Sequence, residues 1–176
     1  EGCHPDKVTF LSIIKACIKL GDVGYGKKIH NHVKKKQLES DIFIASTLVD
    51  MYAKCGSLRE AQFLFDRISS RDAILWNSLI SGYADLKYVS DTLRCLEQMQ
   101  LEGISLDPIS FACALNACGN INTINEGQKM HANVVMEDLE RELNISNSLL
   151  EMYAKCGLME EAKQIFNDLT IQGTGS

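Results

Sequence analysis

The chain has 176 residues, 45% of them apolar and 7% aromatic, which is enough to bury a continuous core and excludes a disordered tail. Its net charge of −5 counts against a generic polyanion binder, because phosphate affinity grows with the number of Lys and Arg contacts; any nucleic-acid reading must rest on local placement. No apolar run approaches the length of a membrane span, which predicts a soluble chain with no membrane partner. None of the seven cysteines forms a C-x-x-C pair, so they read as small reduced hydrophobes in helices, without disulfide, zinc or cofactor. The first residues show no basic leader with an apolar core and cleavage site and so supply no address, and a start within a repeat is expected from the pattern below.

In chain order, Phe10, Ile13, Ile14 and Cys17 recur at helical spacing, and after Gly21-Asp22 come Val23, Gly26, Ile29 and Val33, which predicts a helical hairpin. A second hairpin runs through Ile44, Leu48, Met51 and Tyr52, turns at Gly56-Ser57, and continues through Leu58, Ala61, Leu64, Phe65 and Ile68, with Ser57 expected to cap its second helix. A third echoes it 31 residues on, where Leu79, Tyr83 and Ala84 answer Leu48, Tyr52 and Ala53. At a shift of 101 residues, 1–72 and 102–173 agree at 23 of 72 positions. Met51-Tyr-Ala-Lys-Cys-Gly56 returns intact at Met152–Gly157, and Phe10, Ala16, Cys17, Gly26, His30 and Val33 return as Phe111, Ala117, Cys118, Gly127, His131 and Val134. Fixed-period self-similarity marks a solenoid. Helices this short gain their stability from stacking, and Gly26 and Gly127 inside helices, each costing about 1 kcal/mol against alanine, predict close helix packing there.

Segments of 35, 31, 35, 35 and 31 residues result: 7–41, 42–72, 73–107, 108–142 and 143–173. That alternation, the Thr9-Phe10, Ala16-Cys17 and Gly26–His30 motifs, the hexapeptide, and Trp76-Asn-Ser-Leu-Ile-Ser-Gly-Tyr83 together resemble the plant pentatricopeptide repeat proteins of the mixed P, L and S subclass, in the order L, S, P, L, S. Residues 1–6 resemble the tail of a preceding P repeat, and 174–176 a tail or cloning scar. The resemblance implies an all-α fold, a right-handed solenoid of about ten stacked helices. It implies single-stranded RNA as partner, one base per repeat, in an organellar (mitochondrial or chloroplast) factor directing cytidine-to-uridine editing. The reading pairs it implies are Leu11/Asp41, Ser46/Asp72, Asn77/Asp107, Ala112/Glu142 and Asn147/Gly173. Ser46/Asp72 resembles a guanine reader and Asn77/Asp107 a uracil reader. The apolar Leu11 and Ala112 offer no donor or acceptor and are assigned no base. Val8, Phe43, Ile74 and Ile109 resemble residues that wedge bases apart, a series broken at Asn144. Lys19, Lys54 and Lys155 share a position suited to phosphate, where the other repeats have Asp85 and Asn120.

Residues 43, 46, 50 and 54 share one side of their helix by spacing alone. Lys54 and Lys155 read equally as solvated helix ends favoured by the helix dipole, Lys34-Lys35-Lys36 as a solvated surface, and His30 and His131 as packed or hydrogen-bonded histidines. No Ser-His-Asp or Cys-His grouping and no deaminase signature is present, so no catalysis is expected of these residues. The alternative is a monomeric scaffold whose L repeats dock small editing accessory proteins.

Overall fold

The computed structural model describes residues 5–120 and 124–173, with side chains at 5–119 and 124–169. Residues 1–4 of the expected leading tail and all of 174–176 lie outside them. The described residues form ten helices and no strand: α1 (Lys7–Leu20), α2 (Val23–Lys35), α3 (Ile42–Lys54), α4 (Leu58–Asp66), α5 (Ala73–Asp85), α6 (Val89–Leu101), α7 (Pro108–Asn120), α8 (Ile124–Met136), α9 (Leu143–Lys155) and α10 (Met159–Gly173). They divide into two compact units, 1–82 and 83–176, the boundary falling inside α5.

In the first unit α1 packs on α2 and α3, and α3 packs on α2 and α4. Its core comprises Phe10, Ile14, Val33, Ile44, Leu48, Met51, Phe65, Leu75 and Leu79, all at most 2% exposed. The rings of Phe65 and Trp76 meet edge to face at 4.5 Å. In the second unit α7 packs on α6, α8 and α9, and α9 on α8 and α10, around Phe111, Leu115, Val134, Ile145, Leu149 and Met152.

The hexapeptide locks neighbouring helices together. A methyl group added at Gly26 would lie 2.6 Å from Met51 Sδ, and one at Gly127 would lie 2.6 Å from Met152 Sδ, so each glycine is the floor on which the next hairpin's methionine rests. Beside it, Tyr52 Oη lies 2.9 Å from His30 Nδ1 and Tyr153 Oη 2.8 Å from His131 Nδ1. The lysine ends the helix, and Gly56 and Gly157, at φ +77° and +78°, take the left-handed turn that a side chain disfavours. Ser57 occupies the N-cap of α4, but its hydroxyl makes no cap bond; the turn is closed by its backbone N–H donating to the Tyr52 carbonyl at 2.8 Å.

Burial pushes Tyr52 up to about 12, so its hydroxyl stays protonated and donates to His30, whose opposite nitrogen donates to Glu39 at 3.0 Å. Burial also holds the His30 and His131 imidazoles below their ordinary value near 6.5, against the opposing pull of Glu39 and Glu140.

Two stability outcomes follow from this packing. The unfolded chain takes up protons at these histidines before the folded one does, so stability is full above pH 6.5 and falls as pH drops below it. Thermal melts between pH 7.5 and 5, above carboxylate titration, will show a falling Tm that a His30→Gln/His131→Gln variant flattens. A methyl at Gly82 would lie 2.8 Å from Ala53 Cβ and 3.2 Å from Ala53 Cα, which cannot swing aside, whereas Met51 can yield at Gly26. Gly82→Ala is therefore expected to lower Tm, overpacking of about 1–3 kcal/mol outweighing a helix gain of about 1 kcal/mol, and Gly26→Ala to lower it less, because the flexible Met51 absorbs part of the clash.

Candidate nucleic-acid interface

Because α3 buries Ile44, Leu48, Met51 and Tyr52, its opposite side, advancing about 100° per residue, must carry Phe43, Ser46, Asp50 and Lys54. Phe43 is 64% exposed, Ser46 and Asp50 are half-buried and Lys54 is exposed. At the position of Phe43 three other leading helices carry Val8, Ile74 and Ile109, which are 68%, 75% and 57% exposed, too much for core residues, while α9 carries Asn144. An exposed apolar side chain of this kind offers a surface on which a planar ring can pack.

The reading positions differ among themselves. Leu11 and Ala112 are half-buried, Asn147 is exposed, and Asn77 is buried at 7% exposure. Ser46 Oγ donates to the Ile42 carbonyl at 2.7 Å. Gly173 has no described environment and Asn120 no described side chain.

The aspartates at repeat ends cap the leading helices. Asp41 Oδ1 accepts from the N–H groups of Phe43 and Ile44 at 3.0 and 3.3 Å, Asp72 Oδ1 from Leu75 N–H at 2.8 Å, and Asp107 Oδ1 from Ser110 N–H at 2.9 Å. Glu142 is exposed at the N-cap of α9 without a side-chain cap bond, as expected of a side chain one methylene longer. Asp6, Asp41, Asp72 and Asp107, before four of the five leading helices, are legible in the sequence as cap signals. Asp41 also accepts from Lys7 Nζ at 2.7 Å, and this ammonium holds its carboxyl below the usual range against the smaller effect of burial.

The three lysines are not equivalent. Lys54 pairs with Asp50 at 3.0 Å and Lys155 with Glu151 at 2.7 Å, each one turn back on its own helix. Lys19 is exposed and has Lys15 in that place. The units differ likewise: residues 1–82 hold twelve Lys and Arg against nine Asp and Glu, net +3, and residues 83–176 hold six against fourteen, net −8. Counting charge by halves finds this in the sequence; the whole-chain −5 hides it.

A model of the pentatricopeptide repeat matches residues 8–38, 43–72, 74–104 and 145–173, well over half of the chain. The chain belongs to the pentatricopeptide repeat family. Two Arabidopsis thaliana relatives, one named mitochondrial and one chloroplastic, are 34% and 33% identical over 96% and 93% of it. The chain spans 16% and 27% of their lengths. Maize PPR10 in complex with an 18-nt psaJ RNA element matches with a TM-score of 0.81 at 22% identity, over 96% of this chain and 25% of that one. The PPR domain of Arabidopsis thaliana protein-only RNase P 1, in complex with tRNA, gives 0.67 at 12% identity, over 94% and 89%. At these identities the likeness establishes the pentatricopeptide repeat fold. No helix among the described residues is long and apolar enough to cross a membrane.

Substitution at Asp72 isolates the capping contribution. Asp72→Asn keeps a good N-cap and is expected to melt as wild type, while Asp72→Ala costs about 1 kcal/mol, read in denaturant titration.

Proposed function

We propose that the chain is a single-stranded RNA recognition module, one base per repeat in the order L, S, P, L, S, within an organellar RNA-processing factor that directs cytidine-to-uridine editing. The observation that carries this reading is the exposed column on α3 inside a unit of net charge +3: an aromatic step at Phe43, a hydroxyl at Ser46 and a cation at Lys54. The PPR10 and RNase P 1 complexes with RNA and the organellar names of the relatives support it.

Each group has a chemical task. A base stacks on Phe43, every nucleobase having a face to offer. Ser46, turning from the Ile42 carbonyl, hydrogen-bonds its edge. The cap bond of Asp72 uses Oδ1, leaving Oδ2 to accept from the ring N–H and amino group of guanine. Asn77 favours uracil by the same family code, and its burial requires local repacking before it meets a base. Lys15 and Lys19 meet phosphate from α1 without a carboxylate one turn back.

The net −8 of residues 83–176 favours a second reading for that unit. Its repeats dock a basic protein surface, with small editing accessory proteins as the family's candidates, and RNA grip is confined to residues 1–82.

Two measurements on short RNAs test the main reading. Guanine under the second hairpin is expected to bind about tenfold tighter than adenine, and Ser46→Asn moves that preference toward uracil; equal affinities for all bases contradict the assignment. Lys19→Ala is expected to reduce the slope of log affinity against log salt by about 1, and Lys54→Ala by less because Asp50 already offsets its charge.

A further inference from the structure

The first residue of each leading helix is apolar in four cases, Ile42, Ala73, Pro108 and Leu143, and a lysine in the first. Lys7 is not simply a solvated helix end. Its Nζ lies 2.7 Å from Asp41 Oδ2 and 4.4 Å from the centroid of the Phe43 ring. One ammonium thus touches both the repeat-end residue of the first hairpin and the stacking residue of the second. The same hairpin has Leu11, with no polar atom, at its reading position.

We propose that Lys7 is the specificity-determining residue of the first hairpin, which reads guanine through the Lys7–Asp41 ion pair in place of a polar side chain at position 11. This rests on the base-per-repeat reading above.

The chemistry favours guanine over the other bases. O6 and N7 of guanine are adjacent acceptors for an ammonium, and its ring N–H and amino group are adjacent donors for a carboxylate. Adenine and uracil have neither pair, and cytosine has adjacent acceptors at O2 and N3 but no adjacent donors. Asp41 spends Oδ1 on capping α3, so Oδ2, now shared with Lys7, is the oxygen a base reaches. An exposed cation over a ring is worth only about 0.5–1 kcal/mol, so an entering base takes the Phe43 face and turns the ammonium to its edge without a large loss. Both charged side chains remain partly open to solvent, at 40% and 27%.

The test is affinity of the full chain for short RNAs that keep guanine under the second hairpin and vary the nucleotide under the first, its 5′ neighbour in the polarity that the family resemblance implies. Wild type and Lys7→Arg are expected to prefer guanine there by about tenfold. Lys7→Met is expected to lose that preference while affinity for the other three nucleotides changes less than twofold. An equal loss for all four nucleotides makes Lys7 a phosphate contact, and no change makes the ion pair purely structural; either overturns the inference. In both cases the Ser46-dependent guanine preference at the second hairpin persists. If that preference is absent from the wild-type chain, the base-per-repeat reading itself fails.

Discussion

What the candidate interface depends on is the grip of Met51 and Tyr52 on α2. Met51 rests where Gly26 has no side chain, and Tyr52 donates to a histidine whose other nitrogen is held by Glu39. These adjacent residues fix both the approach of α3 and its rotation about its own axis. Once that rotation is set, helical periodicity leaves Phe43, Ser46, Asp50 and Lys54 no place but the outer side. The second unit repeats the grip with Met152 on Gly127 and Tyr153 on His131, although there Glu140 acts on the histidine by charge alone. A device this local explains how hairpins with few identical residues keep one side in register.

The aspartates at repeat ends answer first to the backbone. Each must begin a helix, and a carboxylate at the N-cap does this with one oxygen. In Asp41 the other oxygen is held by Lys7 at 2.7 Å. In the proposed reading capping also sets the place of the acceptor, as it sets that of the carboxylate that Lys7 holds.

Much of the fold was legible because stacking imposes period. The 101-residue self-match, the helical spacing of Phe10, Ile13, Ile14 and Cys17, and the misplaced glycines Gly26 and Gly127 each state a packing requirement in one dimension. The exposed steps at Val8, Phe43, Ile74 and Ile109 were legible for the same reason. What spacing cannot convey is which polar group a side chain has found. Lys54 and Lys155 look alike until Asp50 and Glu151 are seen beside them, and Lys7 looks like any helix-end lysine until Asp41, 34 residues away in sequence, comes within 2.7 Å. The burial of Asn77 and the idle hydroxyl of Ser57 also depend on three-dimensional surroundings.

The central claim is that RNA lies along the leading helices and not along the second helices, where α2 offers the conspicuous run Lys34-Lys35-Lys36. Photo-crosslinking of the full chain to a short RNA carrying one 4-thiouridine, with the modified peptides mapped by mass spectrometry, tests it most directly. Crosslinks in the peptides that hold Val8, Phe43 and Ser46 are the expected result. Crosslinks confined to α2 and α4, with α1 and α3 unmodified, would contradict the account.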